Sequence, residues 1–419
     1  MQLSAFGKKF SSNSGIVSLM DDLGVALNEN PDAIFMGGGN PARIPAVEAV
    51  FRDRLQTIIN DDAQCHSLLG VYQSPQGDLS FRKEMAAFLK RQFGWPVTEA
   101  NISVSNGSQS AFFIIFNMLA GTSAEGNNRQ IHLPLAPEYL GYGDSGISEQ
   151  LFSASKPSIE LLDEHLFKYH VDFDNLNLTD STAALCVSRP TNPTGNVLTD
   201  AEIARLDSLA QEQNIPLIID GAYGLPFPNI LFEDAKPHWN ENTILMLSLS
   251  KLGLPAARTG IVVASEEFSR AFSNATTISS LACGSLGPVL VRELLKDDVL
   301  KKLSDETIRP YYKQRATQAV SWVRELLDDA LPYHIHKPEG AFFLWLWFDQ
   351  LPISSDQLYQ RLKQRGVLVV PGEPFFIGLD DDWSHTKQCI RVSYSQEESK
   401  VRRGFEIIAE EVALAYEQG

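Results

Sequence analysis

Between about residue 100 and residue 265, short apolar segments alternate with segments that have helical periodicity. The segments expected to form strands are Asn101–Ser105, Ile131–Leu135, Ala183–Val187, Ile215–Ile219, Thr243–Leu247 and Gly260–Ala264. Ser108–Ala120 is expected to form a buried helix, and Thr199 and Glu202 have capping-box spacing at the start of another. Apolar strands separated by helices predict an α/β fold with a mostly parallel sheet covered on both faces.

The pattern changes after about residue 290 and predicts a smaller α+β domain. It comprises a long helical stretch, three strands, and helices that open after Ser354 and after Ser395, where Glu398 has capping-box spacing. The stretch is Arg292–Leu331, and the strands are Phe342–Phe348, Val367–Val370 and Ile390–Tyr394. The predicted division is an N-terminal arm (1–45), a large domain (46–290) and a small C-terminal domain (291–419).

Composition excludes several classes of function. The chain of 419 residues has 35 Lys plus Arg against 52 Asp plus Glu, a formal charge of −17, which argues against a nucleic-acid partner. No apolar segment approaches the roughly 20 residues that cross a bilayer, and no secretory signal is evident. The four cysteines are scattered, so neither a disulfide framework nor a metal site is expected. We therefore expect a cytoplasmic protein without a membrane partner.

Chemically active side chains follow the predicted strands, where a parallel sheet binds its ligands. Asp220 ends one apolar segment, and Tyr223 follows it. Lys251 and Arg258 follow another, and Asn192 lies in the segment after a third. Because the carboxyl ends of parallel strands meet at one edge of a sheet, these residues are expected to form one site.

In these residues the sequence resembles the fold-type I pyridoxal-phosphate (PLP) enzymes, and specifically the class I and II aminotransferases. The resemblance extends from Tyr72–Gly77 to Arg391. Other segments are similar to family members that exchange valine with pyruvate: Asn106–Phe113, Pro137–Tyr139, Ser188–Asn196 and Phe342–Phe348. The family implies PLP as the cofactor and a ping-pong transfer of an amino group from an amino acid to a 2-oxo acid.

The resemblance assigns roles around the cofactor ring. Lys251 would form the Schiff base with PLP and move the substrate's α-proton. Asp220 would pair with the pyridine nitrogen and keep it protonated, so that the ring accepts electrons. Asn192 and Tyr223 would hydrogen-bond the ring oxygen O3′, and Tyr139 would stack on the ring. Lys251, Asp220 and Tyr223 are thus the expected catalytic residues.

The resemblance also assigns the two anion-binding parts of the site. The phosphate would bind at a helix start and at nearby polar groups, namely Ser108, Gln109, Ser248, Ser250 and Arg258. A tyrosine matching Tyr72 reaches the phosphate from the other subunit in this family, which implies a homodimer with shared sites. Arg391 would bind the substrate α-carboxylate in two places, with Asn192 and the backbone at Gly38 close to the substrate.

The resemblance predicts the reaction valine + pyruvate to 3-methyl-2-oxobutanoate + alanine. No second arginine is evident as a clamp for a side-chain carboxylate, which favours small apolar substrates. Neighbouring amino acids are also expected to react, because an apolar pocket discriminates a methyl group by only about 1–3 kcal/mol.

The sequence leaves other interpretations open. Asp220 could be a helix cap, Arg258 and Arg391 could form structural ion pairs, and Gly37–Gly39 could be a plain turn. The motif Gly141–Gly146 fits G-x-G-x-x-G, but it does not directly follow a predicted strand, so a nicotinamide site is not expected. A PLP-dependent lyase would share the main residues with an aminotransferase. A non-catalytic PLP-binding regulator is a second alternative, but such regulators usually bind DNA, and no basic patch suggests a DNA-binding protein.

Overall fold

The computed structural model describes residues 1–12, 15–163 and 165–418. The strands of the described residues are β1 (Ile34–Phe35), β2 (Ile102–Ser105), β3 (Gly121–Thr122), β4 (Asn128–Leu133), β5 (Phe152–Ala154), β6 (Pro157–Leu161), β7 (Leu166–Val171), β8 (Thr182–Ser188), β9 (Leu217–Asp220), β10 (Thr243–Ser248), β11 (Gly260–Val263), β12 (Tyr333–His336), β13 (Phe343–Phe348), β14 (Val367–Leu368), β15 (Val370–Pro371) and β16 (Cys389–Ser393).

The α-helices of the same residues are α1 (Ala5–Phe10), α2 (Gly15–Glu29), α3 (Pro45–Ile59), α4 (Asp62–Leu69), α5 (Leu79–Phe93), α6 (Ser108–Leu119), α7 (Asp200–Glu212), α8 (Glu266–Ser280), α9 (Leu286–Lys296), α10 (Val299–Leu303), α11 (Arg309–Leu326), α12 (Ser355–Gln364) and α13 (Glu398–Gln418). None of the described helices is both long enough and apolar enough to span a membrane.

The predicted mostly parallel sheet is confirmed. Its strand order is β2-β11-β10-β9-β8-β4-β3, with β5 paired to β4. Strands β4, β8, β9 and β10 run parallel to one another, whereas β11 is antiparallel to both β10 and β2, and β3 is antiparallel to β4. Every residue of β8, β9 and β10 is buried. Apolar residues therefore fill these strands without the alternation typical of a half-exposed sheet.

Helices cover both faces of this sheet. On one face, Ile218 and Met246 pack in a core cluster with Phe112 and Phe116 of α6. On the other, Leu217 packs in a second cluster that includes α7, which is confirmed to begin with a capping box between Thr199 and Glu202. Successive strand residues thus serve opposite faces, as the pleat of a strand requires.

Strand register brings the polar strand ends to one edge of the sheet. The last residue of β9, Asp220, lies opposite Ser188 of β8 and Met246 of β10. Ser248, at the end of β10, lies opposite Gly260, which in turn pairs with Ser105 at the end of β2. The segments that follow these ends therefore start close together.

A second sheet has the order β15-β16-β13-β12-β7-β6, and β1 pairs in parallel with β14. The three strands predicted in the C-terminal part of the chain are present as β13, β16 and the segment Val367–Val370, which is divided between β14 beside β1 and β15 in the second sheet. Strands β6 and β7 join this sheet from the middle of the chain, and β1 joins β14 from the N-terminal segment. The division into an arm, a large and a small domain remains a prediction.

The structure refines two of the helix predictions. The stretch Arg292–Leu331 is not one helix, because Asp298 has a left-handed backbone (φ 56°) that interrupts it between α9 and α10. A π-helical turn and α11 follow, and α11 ends at Leu326. The last helix begins at Glu398 rather than directly after Ser395, whose hydroxyl pairs with that of Ser393 at 3.0 Å. By contrast, Ser354 caps α12 as predicted.

Candidate active site

A cavity of about 430 Å³ opens at the carboxyl edge of the central sheet. Twelve of the thirteen predicted site residues line it: Gly38, Ser108, Gln109, Tyr139, Asn192, Asp220, Tyr223, Ser248, Ser250, Lys251, Arg258 and Arg391. A larger groove of about 1280 Å³ runs along the N-terminal helix, but Gln109 alone of these residues reaches it. The smaller cavity is therefore the candidate site.

Tyr72 is the predicted residue that the fold leaves outside the cavity. Its side chain is 83% exposed on the surface of this chain. Apolar residues beside it, Leu69 and Val71, are exposed as well. A large exposed apolar cluster is typical of a surface that contacts another protein.

The amine of Lys251 lines the cavity and has a lowered pKa. Lys251 is the third residue after the end of β10, within a 3₁₀ turn, and its Nζ donates to the carbonyl oxygen of Gly39 at 2.6 Å. Burial lowers the pKa of Lys251 to about 8, and the positive charges of Arg391 and Arg258 act in the same direction, whereas Asp220 opposes them. An amine with a pKa of about 8 is roughly one tenth neutral at pH 7, far more than an exposed lysine, and the neutral form is the one that acts as a nucleophile or proton acceptor.

Asp220 is held as an acceptor by two donors. The N–H of Ala222 donates to its Oδ1 at 2.9 Å, and the hydroxyl of Tyr142 donates to its Oδ2 at 2.7 Å. Burial raises the pKa of this carboxyl group, while both hydrogen bonds and the charge of Lys251 oppose that rise. A capping role is not needed to explain Asp220, because no α-helix begins there. Its carboxylate can instead accept a hydrogen bond from a protonated, positively charged group.

An anion could bind where α6 begins. Gly107 precedes the helix without a side-chain cap, and the buried hydroxyl of Ser108 has no hydrogen-bond partner. A Cβ on Gly107 would lie 2.2 Å from the Arg258 guanidinium, so glycine lets that cation approach the helix start. Unpaired donors, the helix dipole and a guanidinium together favour a phosphate.

Arg391 is buried beside the cavity, at 5% exposure, without an acidic partner among the described residues. Its two terminal nitrogens donate to Asn192 Oδ1 and to the carbonyl of Gly37, each at 2.7 Å, and its Nε has no partner. Burial lowers its pKa to about 10, so it remains charged at neutral pH. Within the part of the chain that the structure describes, Arg391 is therefore not part of a structural ion pair, and a carboxylate ligand would give its guanidinium group a negatively charged partner.

Three functional candidates next to the cavity were not identified from the sequence: Tyr142, Ser188 and Glu138. Tyr142 lies inside the G-x-G-x-x-G motif, which forms a short 3₁₀ helix (Leu140–Ser145) instead of the start of a long one. That geometry does not suit a dinucleotide. The sequence signal that could have drawn attention to Tyr142 and Glu138 is their position within three residues of Tyr139.

The residues present fit PLP, judged by the cavity itself. It contains a lysine with a lowered pKa, a buried carboxylate, a helix start with an unpaired hydroxyl, and an arginine with an unpaired Nε. These four features match, in turn, an aldehyde, a pyridine nitrogen, a phosphate and a substrate carboxylate.

Comparison with known proteins agrees with this assignment. The family model "Aminotransferase class I and II" matches residues 150–408. Valine–pyruvate aminotransferase of Escherichia coli (strain K12) is 49% identical over 416 residues, 99% of each chain. The crystal structure of valine-pyruvate aminotransferase from Salmonella typhimurium LT2 has a TM-score of 0.89 at 48% identity, covering 97% of this chain and 100% of that one.

A more distant structure, the aspartate aminotransferase of Thermus thermophilus with maleate, shares the fold with a TM-score of 0.77 at 20% identity, covering 98% of this chain and 100% of that one. The lysine, carboxylate and arginine around one cavity thus occur in a chain whose sequence and fold both match PLP-dependent transaminases, and we conclude that this protein belongs to the class I and II aminotransferase family.

Proposed function

We propose that this aminotransferase transfers the amino group of valine to pyruvate, forming 3-methyl-2-oxobutanoate and alanine. The observation that carries the proposal is the composition of the cavity. Its arginines, within the described residues, are Arg258 at the helix start and Arg391. If Arg258 binds the cofactor phosphate, Arg391 remains to bind the substrate α-carboxylate, and neither arginine is available for a second carboxylate on the substrate.

The remaining cavity wall favours an apolar side chain. Leu23 and Phe35, from the N-terminal part of the chain, line the same space as Arg391. Gly38 lies against Phe35, and a Cβ there would be 2.4 Å from the ring. A small branched side chain such as that of valine fits an apolar wall, whereas a charged one would lose its hydration without a partner. The relatives with valine and pyruvate in their names support the same choice.

Each cavity residue has a proposed task. Bound PLP supplies an acceptor for the electron pair that remains when the substrate Cα loses its proton. Arg391 and Asn192 orient the substrate through its carboxylate, and Lys251 takes the proton from Cα. Asp220 holds a proton on the ring nitrogen by pairing with its positive charge. Tyr223, whose pKa is raised by burial, stays protonated and can donate a hydrogen bond to O3′.

The assay for this proposal uses the purified protein with PLP, valine and pyruvate. We expect one alanine and one 3-methyl-2-oxobutanoate per turnover, without ammonia. Aspartate in place of valine is the matched control, because its second carboxylate has no partner in the cavity, and we expect it to be a much poorer donor. Ammonia without alanine would support a lyase instead, and faster turnover of aspartate would contradict the proposed substrate.

Changing Arg391 to Lys is expected to raise the KM for valine by about tenfold or more, because an ammonium keeps the charge but cannot make the planar two-point contact. Steady-state kinetics measures the effect. Arg402→Lys is the control, since Arg402 pairs with Glu325 on the protein surface. An unchanged KM in the Arg391 variant would refute its role as the carboxylate clamp.

We also propose that the protein acts as a cytoplasmic homodimer in which Tyr72 reaches the phosphate of the other subunit. The exposed cluster around Tyr72 supports a surface for a second copy of the chain. All four cysteines are free, which is typical of a reducing compartment.

A further inference from the structure

Glu138 is a buried carboxyl group next to the active site that the proposed reaction does not use. It immediately precedes Tyr139, which lines the cavity, and is 1% exposed. The N–H of Ser188 donates to its Oε1 at 2.7 Å, and the Ser188 Oγ lies 2.5 Å from its Oε2. The backbone N–H of Tyr139 also approaches Oε2, at 3.3 Å. The group is thus fixed in one orientation.

Two hydroxyl groups link this carboxyl group to Asp220. The Ser188 Oγ lies 3.4 Å from the hydroxyl oxygen of Tyr142, and that hydroxyl donates to Asp220 Oδ2 at 2.7 Å. The resulting series, Glu138–Ser188–Tyr142–Asp220, is buried along its whole length. A change of charge at Glu138 therefore changes the electrostatic potential at Asp220, with little screening by water.

The surroundings of Glu138 do not favour a negative charge. The titratable groups that face it are Asp220 on β9, Tyr142 on the short helix and Cys186 on β8, and none of these carries a positive charge. In the described residues no lysine or arginine forms an ion pair with Glu138. Burial raises the pKa of Glu138 to about 8, and the charge of Asp220 adds to that rise, although the bonds from Ser188 oppose it.

Asp220 is better placed to keep a negative charge. It accepts from both Ala222 and Tyr142 and lies near the positive charge of Lys251. Two close carboxyl groups in a buried site do not both ionise readily, so the proton belongs on the one without a cation.

We propose that Glu138 is a positioning residue which holds a proton and directs the hydroxyl groups of Ser188 and Tyr142 towards Asp220. An ionised Glu138 would accept from the Ser188 hydroxyl, and the proton on Glu138 reverses that bond. The Glu138 O–H then donates to Ser188, the Ser188 O–H donates to Tyr142, and the Tyr142 O–H donates to Asp220. The single negative charge then stays on Asp220. This inference rests on the proposed pairing of Asp220 with the cofactor's ring nitrogen. An ionised Glu138 would repel the negative charge of Asp220 and favour its protonation, whereas a protonated Glu138 leaves Asp220 ionised for that pairing.

Infrared difference spectroscopy on the holoenzyme tests the protonation directly. We expect the wild-type protein to show the carbonyl stretch of a protonated carboxyl group, shifted in D₂O, and we expect Glu138→Gln to lack that band. Glu339→Gln is the matched control. Glu339 is also buried, at 3% exposure, but it forms ion pairs with Lys168 and Lys337, so its variant should lose a carboxylate band instead.

Cofactor affinity tests the positioning role. Glu138→Leu removes the donor, and the apoprotein is expected to bind pyridoxal 5′-phosphate at least about tenfold more weakly by equilibrium dialysis. Glu138→Gln keeps a neutral donor of the same shape, so it should rescue most of this loss. If the leucine variant does not fold, the infrared measurement on the glutamine variant still decides.

Loss of only a carboxylate band in Glu138→Gln, or equally weak cofactor binding in the glutamine and leucine variants, would overturn the inference. Borohydride trapping of the wild-type cofactor separates this from failure of the proposed function. A label on a lysine other than Lys251 would refute the proposed function, whereas the infrared result on Glu138 would stand by itself.

Discussion

Replacing Lys251 with alanine is expected to reduce the turnover of valine and pyruvate by about 10⁴-fold or more. The substitution removes the only amine of the described cavity, and with it both the covalent attachment point for the cofactor's aldehyde and the acceptor of the α-proton. The measurement is alanine formation, together with borohydride reduction and peptide mapping. We expect the label on Lys251 in the wild-type protein and no label in the variant.

The control for this prediction is Lys313→Ala. Lys313 is a partly buried lysine on α11 that contacts the carbonyl of Phe232 and does not line the cavity. Turnover by Lys251→Ala close to the wild-type rate, or a trapped cofactor on a different lysine, would contradict the whole assignment of the site.

The Lys251→Ala variant also tests whether each active site is shared between two subunits. Mixing Lys251→Ala with Tyr72→Ala chains would place one doubly altered site and one fully intact site in each heterodimer, if Tyr72 acts across the interface. We therefore expect activity to be regained after subunit exchange. A mixture no more active than its two components would show that Tyr72 does not serve the neighbouring subunit.

Asp220→Ala is expected to lower kcat by about 10²–10³-fold, the range observed when one preorganised electrostatic partner is removed. Without the carboxylate, the ring nitrogen loses the charge that keeps it protonated, and removal of the Cα proton slows. Rapid mixing of the variant with valine, with the cofactor absorbance as the signal, measures this step separately from the second half of the reaction.

Asp207→Ala is the matched control for Asp220→Ala. Both aspartates are 8% exposed, but Asp207 on α7 bonds Gln211 and Asn240 away from the cavity. The control is expected to lose stability and to retain its rate of proton removal. A normal rate in Asp220→Ala would remove the basis for pairing this residue with the ring nitrogen.

Local sequence patterns were sufficient for six of the eight strands in the described central sheet, all but the short β3 and β5. Strands such as β8 and β10 are buried throughout, so they contain apolar residues at consecutive positions, and this pattern is visible without knowledge of their neighbours. The capping box at Thr199 is likewise local, because its two hydrogen bonds join residues three positions apart. The break at Asp298 was missed, since a left-handed residue other than glycine leaves little trace in the periodicity.

The buried acidic series at Asp220 could not be predicted in the same way. Glu138 and Tyr142 come from one segment, Ser188 and Asp220 come from two others, and each alone is an ordinary polar residue. Their contact depends on strand register, which places Ser188 opposite Asp220, and on the short helix that turns Tyr142 towards both. Long-range packing, and not spacing along the chain, brings them together.

The sequence by itself determined the long buried strands of the central sheet, the family and the residue types of the site, because apolar strands and the polar residues at their ends occupy short, contiguous segments. Only the tertiary structure decided which groups are paired and which are not. It left Arg391 Nε and Ser108 Oγ without partners, placed Tyr72 on the surface and set Glu138 beside Asp220 without a cation. Charge state and hydrogen-bond direction depend on neighbours distant in sequence, so they arise only when the chain is folded.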